Sequence, residues 1–310
     1  MPTVRTLEIH RQMSPADVST VQDLIAAAER ADGHRPLSDH LWLDLAQGGR
    51  RGFAGLVAWE PGHTHPVAYA QVSLGHGSYA LELVVHPHHR YEMDKIGPEL
   101  VGAALDEVRR SGGGPVHWWV YEPTDAHDRL ADRFGLRARR TLYQMRRDLP
   151  LDEKYELATR PFRPGDDEQA WLEVNNRAFR AHAEQGGWDA ETLLAREREP
   201  WFDPAGFLLH ERDGRLAGFC WTKLHLDTTP AMGEIYVIAV DPDYHGLGLG
   251  RALTLAGLDS IHRRGIGVGM LYVDADNAPA LSLYRRLGFT EHRTDRAYVG
   301  VVHPEEGSDQ

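Results

Sequence analysis

The stretch Gly233–Arg251, GEIYVIAVDPDYHGLGLGR, decides how this chain is read. It begins as an apolar run of strand length, turns at Asp241-Pro242, and ends in a glycine-rich loop that opens an amphipathic segment. Glycines at 246, 248 and 250 let the backbone turn tightly and leave successive N–H groups exposed. With the positive end of a helix dipole, those amides make an anion site, and a diphosphate is the natural occupant. Other readings compete. A Walker loop would end Gly-Lys-Ser/Thr, and Gly250-Arg251-Ala252 does not. A dinucleotide fingerprint wants an acidic residue about 20 positions on, and Asp274 stands near that distance. The plainest alternative is a flexible strand-to-helix turn.

Outward from this stretch, 206–212, 216–225 and 267–274 read as strands. Residues 167–182, 190–198, 248–264 and 279–287 read as helices, and 289–303 as a last strand or pair. The first half shows the same order. A helix is expected over 15–30, strands over 52–60, 66–74 and 79–85, a helix over 96–110, a strand over 115–121, a short helix over 125–134 and a strand over 141–149. Val84-Val85-His86-Pro87 matches Ala239-Val240-Asp241-Pro242 at an offset of 242 − 87 = 155, and Phe134-Gly135-Leu136 matches Leu287-Gly288-Phe289 at 288 − 135 = 153. Distant landmarks holding nearly one offset point to a duplication. The charged, proline-punctuated run 150–164 reads as the linker, giving domains of 1–150 and 151–310.

A chain of 310 residues suits two such domains. A net charge of −12 argues against a nucleic-acid partner or an anionic membrane surface. There is no apolar run of 18 residues and no secretory leader pattern at the N-terminus, so a cytoplasmic location is the default, while the oligomeric state stays open between a monomer and an assembly. Cys220 is the single cysteine and sits in LAGFCW, where a buried structural thiol is expected over a nucleophile. His86, His88 and His89 form a cluster without a zinc-site spacing partner; it reads as a solvated loop, and no metal is expected.

The sequence of strand, Asp-Pro, glycine loop, helix, strand, Asn277-x-x-Ala280 and Leu283-Tyr284-x-x-Leu287-Gly288-Phe289 resembles the GCN5-related N-acetyltransferase family. His245 stands where that family usually has Gln or Arg. The resemblance is strong over 233–289 and degenerate over 79–136. It implies an α/β fold (an α+β mixed sheet) made of two tandem GNAT acyl-CoA N-acyltransferase domains, with acetyl-CoA as cosubstrate. Cofactor contacts are implied at Ile238, Ala239 and Val240, at His245, Gly246, Leu247, Gly248, Leu249, Gly250 and Arg251, and at Asn277, Ala278, Pro279, Ala280, Leu281 and Ser282. Glu234 falls at the family's general base; by itself it reads as an exposed strand-end carboxylate. Tyr284 falls at the tyrosine that protonates the leaving thiolate; by itself it reads as a core aromatic. Asn277 also suits a helix N-cap.

In the first half, Tyr79 stands opposite Glu234 and Ala131 opposite Tyr284, and the loop HHRYEMDKIG keeps only Gly97. No catalysis is expected there, although Leu83, Val84 and Val85 are placed to hold a pantetheine arm. VNNRAFRAHAEQGGW (174–188), WTKLH (221–225) and LYVDADN (271–277) narrow the resemblance to the tandem acetyltransferases that acetylate the cysteinyl amine of cysteinyl-glucosaminyl-inositol. Its implied substrate contacts are Asp39, Glu184, Lys223, Glu234 and Tyr272. A neutral sugar–inositol carrying one ammonium suits carboxylates and hydrogen-bond donors. Two alternatives stay open: a tandem acetyltransferase for another amine, and a non-catalytic CoA-binding sensor.

Overall fold

The computed structural model describes residues 5–75, 77–180 and 185–305, leaving aside the Asp39 side chain. In chain order the elements are β1 (Thr6–His10), α1 (Pro15–Asp32), α2 (Asp39–Ala46), β2 (Phe53–Trp59), β3 (Ala68–Leu74), β4 (Tyr79–Val85), α3 (Met93–Arg110), β5 (Gly114–Tyr121), α4 (Asp125–Arg133) and β6 (Arg137–Asp148). There follow β7 (Arg160–Pro161), α5 (Glu168–Ala178), α6 (Ala190–Glu197), β8 (Phe207–Arg212), β9 (Arg215–His225), β10 (Met232–Val240), α7 (Leu249–Arg263), β11 (Val268–Asp274), α8 (Ala278–Arg286) and β12 (Thr290–Val302). Among the described residues, no helix is long and apolar enough to cross a membrane. The strand β1 and the helix α2 have no counterpart in the sequence reading, and the segment 289–303 is one strand rather than two.

The chain forms two compact units, Met1–Thr141 with Thr294–Gln310, and Leu142–Arg293. In the first unit the strands run β1-β2-β3-β4-β5-β12. In the second they run β6-β11-β10-β9-β8-β7. The sequence division at 150/151 therefore differs from the units. Strand β6 pairs antiparallel with β11 from Asp148↔Val268 to Leu142↔Asp274. The C-terminal strand completes the first unit, with Asp295–Val302 antiparallel to β5. Alternation of apolar residues reveals a strand but not the sheet it joins.

Each unit is a sheet between two helical layers. In the first, α1 is started by Ser14, whose hydroxyl and backbone form a reciprocal capping box with Asp17, and is stopped by left-handed Gly33. Its Val21, Leu24, Ile25 and Ala28 are buried at helical spacing and pack with Leu45, Val57 and Val84. The opposite face carries Ile96, Leu100 and Val101 of α3 against Leu56, Ala70 and Leu81. In the second unit, Trp171, Phe207, Phe219 and Trp221 form an aromatic layer with α5 and α6. Leu253, Leu258 and Ile261 of α7, with Leu281 and Tyr284 of α8, cover the other face.

Both units repeat one local device. A strand ends, a residue caps a 3-10 turn with its own side chain, and proline follows. His86 accepts from the His88 N–H, and Asp241 accepts from the Asp243 N–H. The backbone angles of the two capping residues nearly coincide, φ −55°, ψ 134° and φ −57°, ψ 136°.

Candidate active site in the second unit

The central strand β10 opens the site. It pairs antiparallel with β9 along its length, but the register shifts between Ile235 and Val237. This bulge inserts Tyr236 and puts it and Val237 on the same face. On its other side β10 pairs parallel with β11 only over Gly233–Ile235. Residues 236–240 thus present backbone groups to a cleft that no β11 partner closes. A ladder this short beside strands of this length makes a slot for an extended ligand that hydrogen-bonds to main chain.

At the end of that strand, Pro242–Tyr244 form the 3-10 turn and His245 Nε2 contacts the Val240 carbonyl oxygen at 3.1 Å. Gly246 and Gly248 have φ of 80° and 75°. Gly248 is the N-cap of α7 and has no side chain to satisfy the first-turn amides, and no acidic residue stands in that turn. Arg251 adds a cation there. An uncapped helix start with positive φ glycines and no carboxylate favours an anion. The first unit differs at the same place. Glu92 and Asp94 begin α3, with Lys95 bonded to Glu92 at 2.8 Å and Arg129 to Asp94 at 3.1 Å. The dipole there already faces carboxylates.

Glu234 is buried, and its Oε2 accepts from His225 Nε2 at 2.7 Å. Gly233 before it faces α7, where any side chain would collide with Ile261. That alternation turns Glu234 to the α5 side. Lys223, directly opposite Glu234 on β9, shares this face. Its ammonium lies 4.6 Å from the Trp201 ring centroid and 5.8 Å from that of Tyr236. Tyr272 is also on this face, one residue past the end of the β10–β11 ladder. Its hydroxyl accepts from Gln144 Nε2 at 2.8 Å and from Arg293 Nη2 at 3.2 Å. Lys223, Glu234 and Tyr272 therefore come together, ringed by His225, Tyr236, Trp201 and Gln144. The sequence reading missed these four; the spacing of two between Lys223 and His225 on one strand was the available signal.

Tyr284 approaches from the opposite face. It is buried among the α7 and α8 side chains and stands edge-on to Phe289, with ring centroids 5.7 Å apart. Burial, and then the neighbouring Cys220 thiol, hold its phenol above the ordinary tyrosine range, so it keeps its proton. Cys220 is itself fully buried and pushed up to about 12 by desolvation, as a structural thiol should be. Asn277 caps α8 by accepting from the Ala280 N–H at 3.2 Å, with Pro279 in the first turn. Asp39 starts α2, its side chain outside the described residues, and Glu184 lies outside them altogether.

In the first unit, Tyr79 and Ala131 are core residues. Strand β4 pairs with β5 only over Tyr79–Leu81, so the same slot opens beside 82–85. A cavity of about 300 Å³ there is lined by Glu82, Leu83, Val84, Val85, Arg90, Trp118 and His127 among others. Desolvation pushes the Glu82 carboxyl up to about 8, against two hydrogen bonds from the Ser38 N–H. The histidines after β4 correct the sequence reading. His86 and His89 are buried, not solvated, because the β2–β3 loop brings His63 and His65 against them.

Residues 168–289 match the model of the acetyltransferase (GNAT) family. A mycothiol acetyltransferase of Acidimicrobium ferrooxidans is 45% identical over 280 residues, covering 88% of this chain and 90% of that protein. One from Thermobispora bispora is 44% identical over 301 residues, covering 94% and 99%. Among solved structures, a GCN5-related N-acetyltransferase from Sphaerobacter thermophilus superposes with a TM-score of 0.75 at 23% identity, covering 96% of each chain. A tandem GNAT protein from the clavulanic acid biosynthesis pathway gives 0.67 at 18% identity, covering 97% of this chain and all of that one. These two share the fold. With an open slot, an anion-binding helix start, and relatives alike over nearly the whole length, the chain belongs to the mycothiol acetyltransferases of the GNAT family and is an acetyltransferase.

Proposed function

We propose that the second unit transfers an acetyl group from acetyl-CoA to the cysteinyl amine of cysteinyl-glucosaminyl-inositol. The observation that carries this is the opening of β10 from β11 between a carboxylate on one face, Glu234, and a protonated phenol on the other, Tyr284. The residues fit the cosubstrate. The uncapped α7 start suits its diphosphate, and the free edge of 236–240 suits its amide-bearing arm. When bound, it supplies an acetyl group activated as a thioester.

The protein's own residues do the rest. Glu234 takes a proton from the substrate ammonium, and the His225 N–H fixes the carboxylate that receives it. The freed nitrogen forms its bond to the acetyl carbon as the carbon–sulfur bond breaks. Main-chain N–H groups near the bulge face the carbonyl oxygen as charge gathers on it. Tyr284 gives its proton to the departing sulfur; the nitrogen sheds its second proton to solvent as the amide forms, and the phenol is restored from solvent. Lys223 and Tyr272 line the amine side and hold the polar substrate through hydrogen bonds. The first unit lacks counterparts of Glu234 and Tyr284, and we assign it no turnover. Its Leu83–Val85 slot is suited to a pantetheine arm.

The test is release of CoA from acetyl-CoA with a panel of amines. We expect turnover with cysteinyl-glucosaminyl-inositol, and a loss of kcat/KM of about 10²–10⁴ in Glu234→Gln with unchanged circular dichroism. Turnover on polyamines or aminoglycosides alone would overturn the substrate. Saturable CoA binding without turnover on any amine would make the chain a sensor.

A further inference from the structure

We propose that His63, His65 and His89 of the first unit bind one borderline divalent d-block cation such as Zn²⁺. They come from two separate segments, the β2–β3 loop and the 3-10 turn after β4. One ligand atom from each lies within 4.8 Å of the others. A tetrahedral ion with Zn–N of about 2.1 Å needs nitrogens roughly 3.4 Å apart, a gap that small side-chain rotations close.

Three details point to a ligand rather than to chance crowding. His89 is 4% exposed, and its Nδ1 is buried without a hydrogen-bond partner. A polar atom in that position calls for a partner. His65 Nδ1 contacts the Pro66 carbonyl oxygen at 3.2 Å, which fixes that nitrogen as the donor and leaves Nε2 with its lone pair. The ring of His86 stacks on His65 at 4.1 Å between centroids, holding its plane. Glu60 Oε2 lies 4.0 Å from His63 Nε2, and Glu60 and His89 fall in a second group of the same spread with Glu92. A carboxylate is thus at hand as a fourth ligand. Arg5 is held against Glu60 at 2.6 Å and Glu92 at 3.0 Å, and Lys95 against Glu92 at 2.8 Å, so the cluster's carboxylates are already partly balanced and the imidazoles are the principal ligands.

Three imidazoles select a borderline metal over Ca²⁺ or Mg²⁺, which prefer all-oxygen shells. The ion would tie the β2–β3 loop to the turn that leads into α3. The test uses the tag-free full chain after chelation. Zn²⁺ alone is titrated by calorimetry and Co²⁺ by visible absorption, neither of which depends on acetyl transfer. We expect one Zn²⁺ per chain, a higher Tm with Zn²⁺, and a Co²⁺ spectrum of nitrogen-ligated tetrahedral type. His63 is the most accessible of the three, so His63→Ala should fold and weaken binding at least tenfold. His65→Ala should do the same, while His210→Ala in the second unit should not. No saturable binding, or one equivalent unaffected by both His63→Ala and His65→Ala, would overturn the proposal.

Discussion

At the scale of single residues, the proposed chemistry rests on two side chains whose surroundings differ. Glu234 is oriented by His225, and Tyr284 is sealed among the apolar side chains of α7, α8 and Phe289, where burial keeps its proton on. Replacing Tyr284 by Phe removes only a hydroxyl from a packed core, so the fold should persist. We expect kcat to fall on the order of 10²-fold with KM for the amine little changed, measured by steady-state kinetics. Glu82 offers a prediction of another kind. Its folded pKa of about 8 stands above its ordinary 4.5. Its contribution to stability is therefore whole below pH 4.5 and is lost as pH rises through 8. Replacing Glu82 by Gln should flatten that decline, read from Tm against pH across the window. His86 has the opposite sign. Burial and neighbouring cations depress it to about 4, so its contribution is present above 6.5 and fades as pH falls. The difference between wild type and Glu82→Gln isolates the carboxylate from it. Glu234, Lys223, Tyr272 and Tyr284 were singled out through the family resemblance rather than through spacing, and the structure turns the first three to one face of the sheet. His225 carried a signal that went unread, its spacing of two from Lys223 on one strand, whereas the His63–His65 partners carried none, since only tertiary structure brings their loop to His86 and His89.

At the scale of elements, the start of α7 carries the cofactor argument. Gly248 sits at φ 75° with open space around it, so its constraint is conformational rather than steric. Gly248→Ala should cost about 1–2 kcal/mol for holding a left-handed conformation. It should also raise KM for acetyl-CoA more than it lowers kcat, which thermal melts and kinetics together would establish. Elements with strong periodicity and clear stops were readable in the sequence: α1 between Ser14 and Gly33, and β10 between Gly233 and Asp241-Pro242. The unread β1 has a weak pattern, TLEIH, half exposed along its length. It is a strand because β2 offers it a full antiparallel edge, with Thr6 opposite Trp59 and His10 opposite Gly55. No residue type in IYVIA announces the β10 bulge.

At the scale of the whole molecule, duplication was readable from two offsets, but the ownership of the last strands was not. Cutting at 150/151 removes β6 from the second unit and exposes the edge of β11 from Val268 to Asp274. The same cut strips the first unit of the partner that β5 finds in Asp295–Val302. Bare edges of that kind pair with other chains. Fragments 1–150 and 151–310 should each aggregate when expressed alone, as centrifugation and size exclusion would record. The same ownership also sets a timetable for biosynthesis. Residues 294–302 leave the ribosome after the whole of the second unit, yet they close the sheet whose strands emerged first. The nascent first unit must wait, one flank unsealed, until translation has run through the entire second unit, so any holdase that shields β5 during that delay would govern the yield of active enzyme.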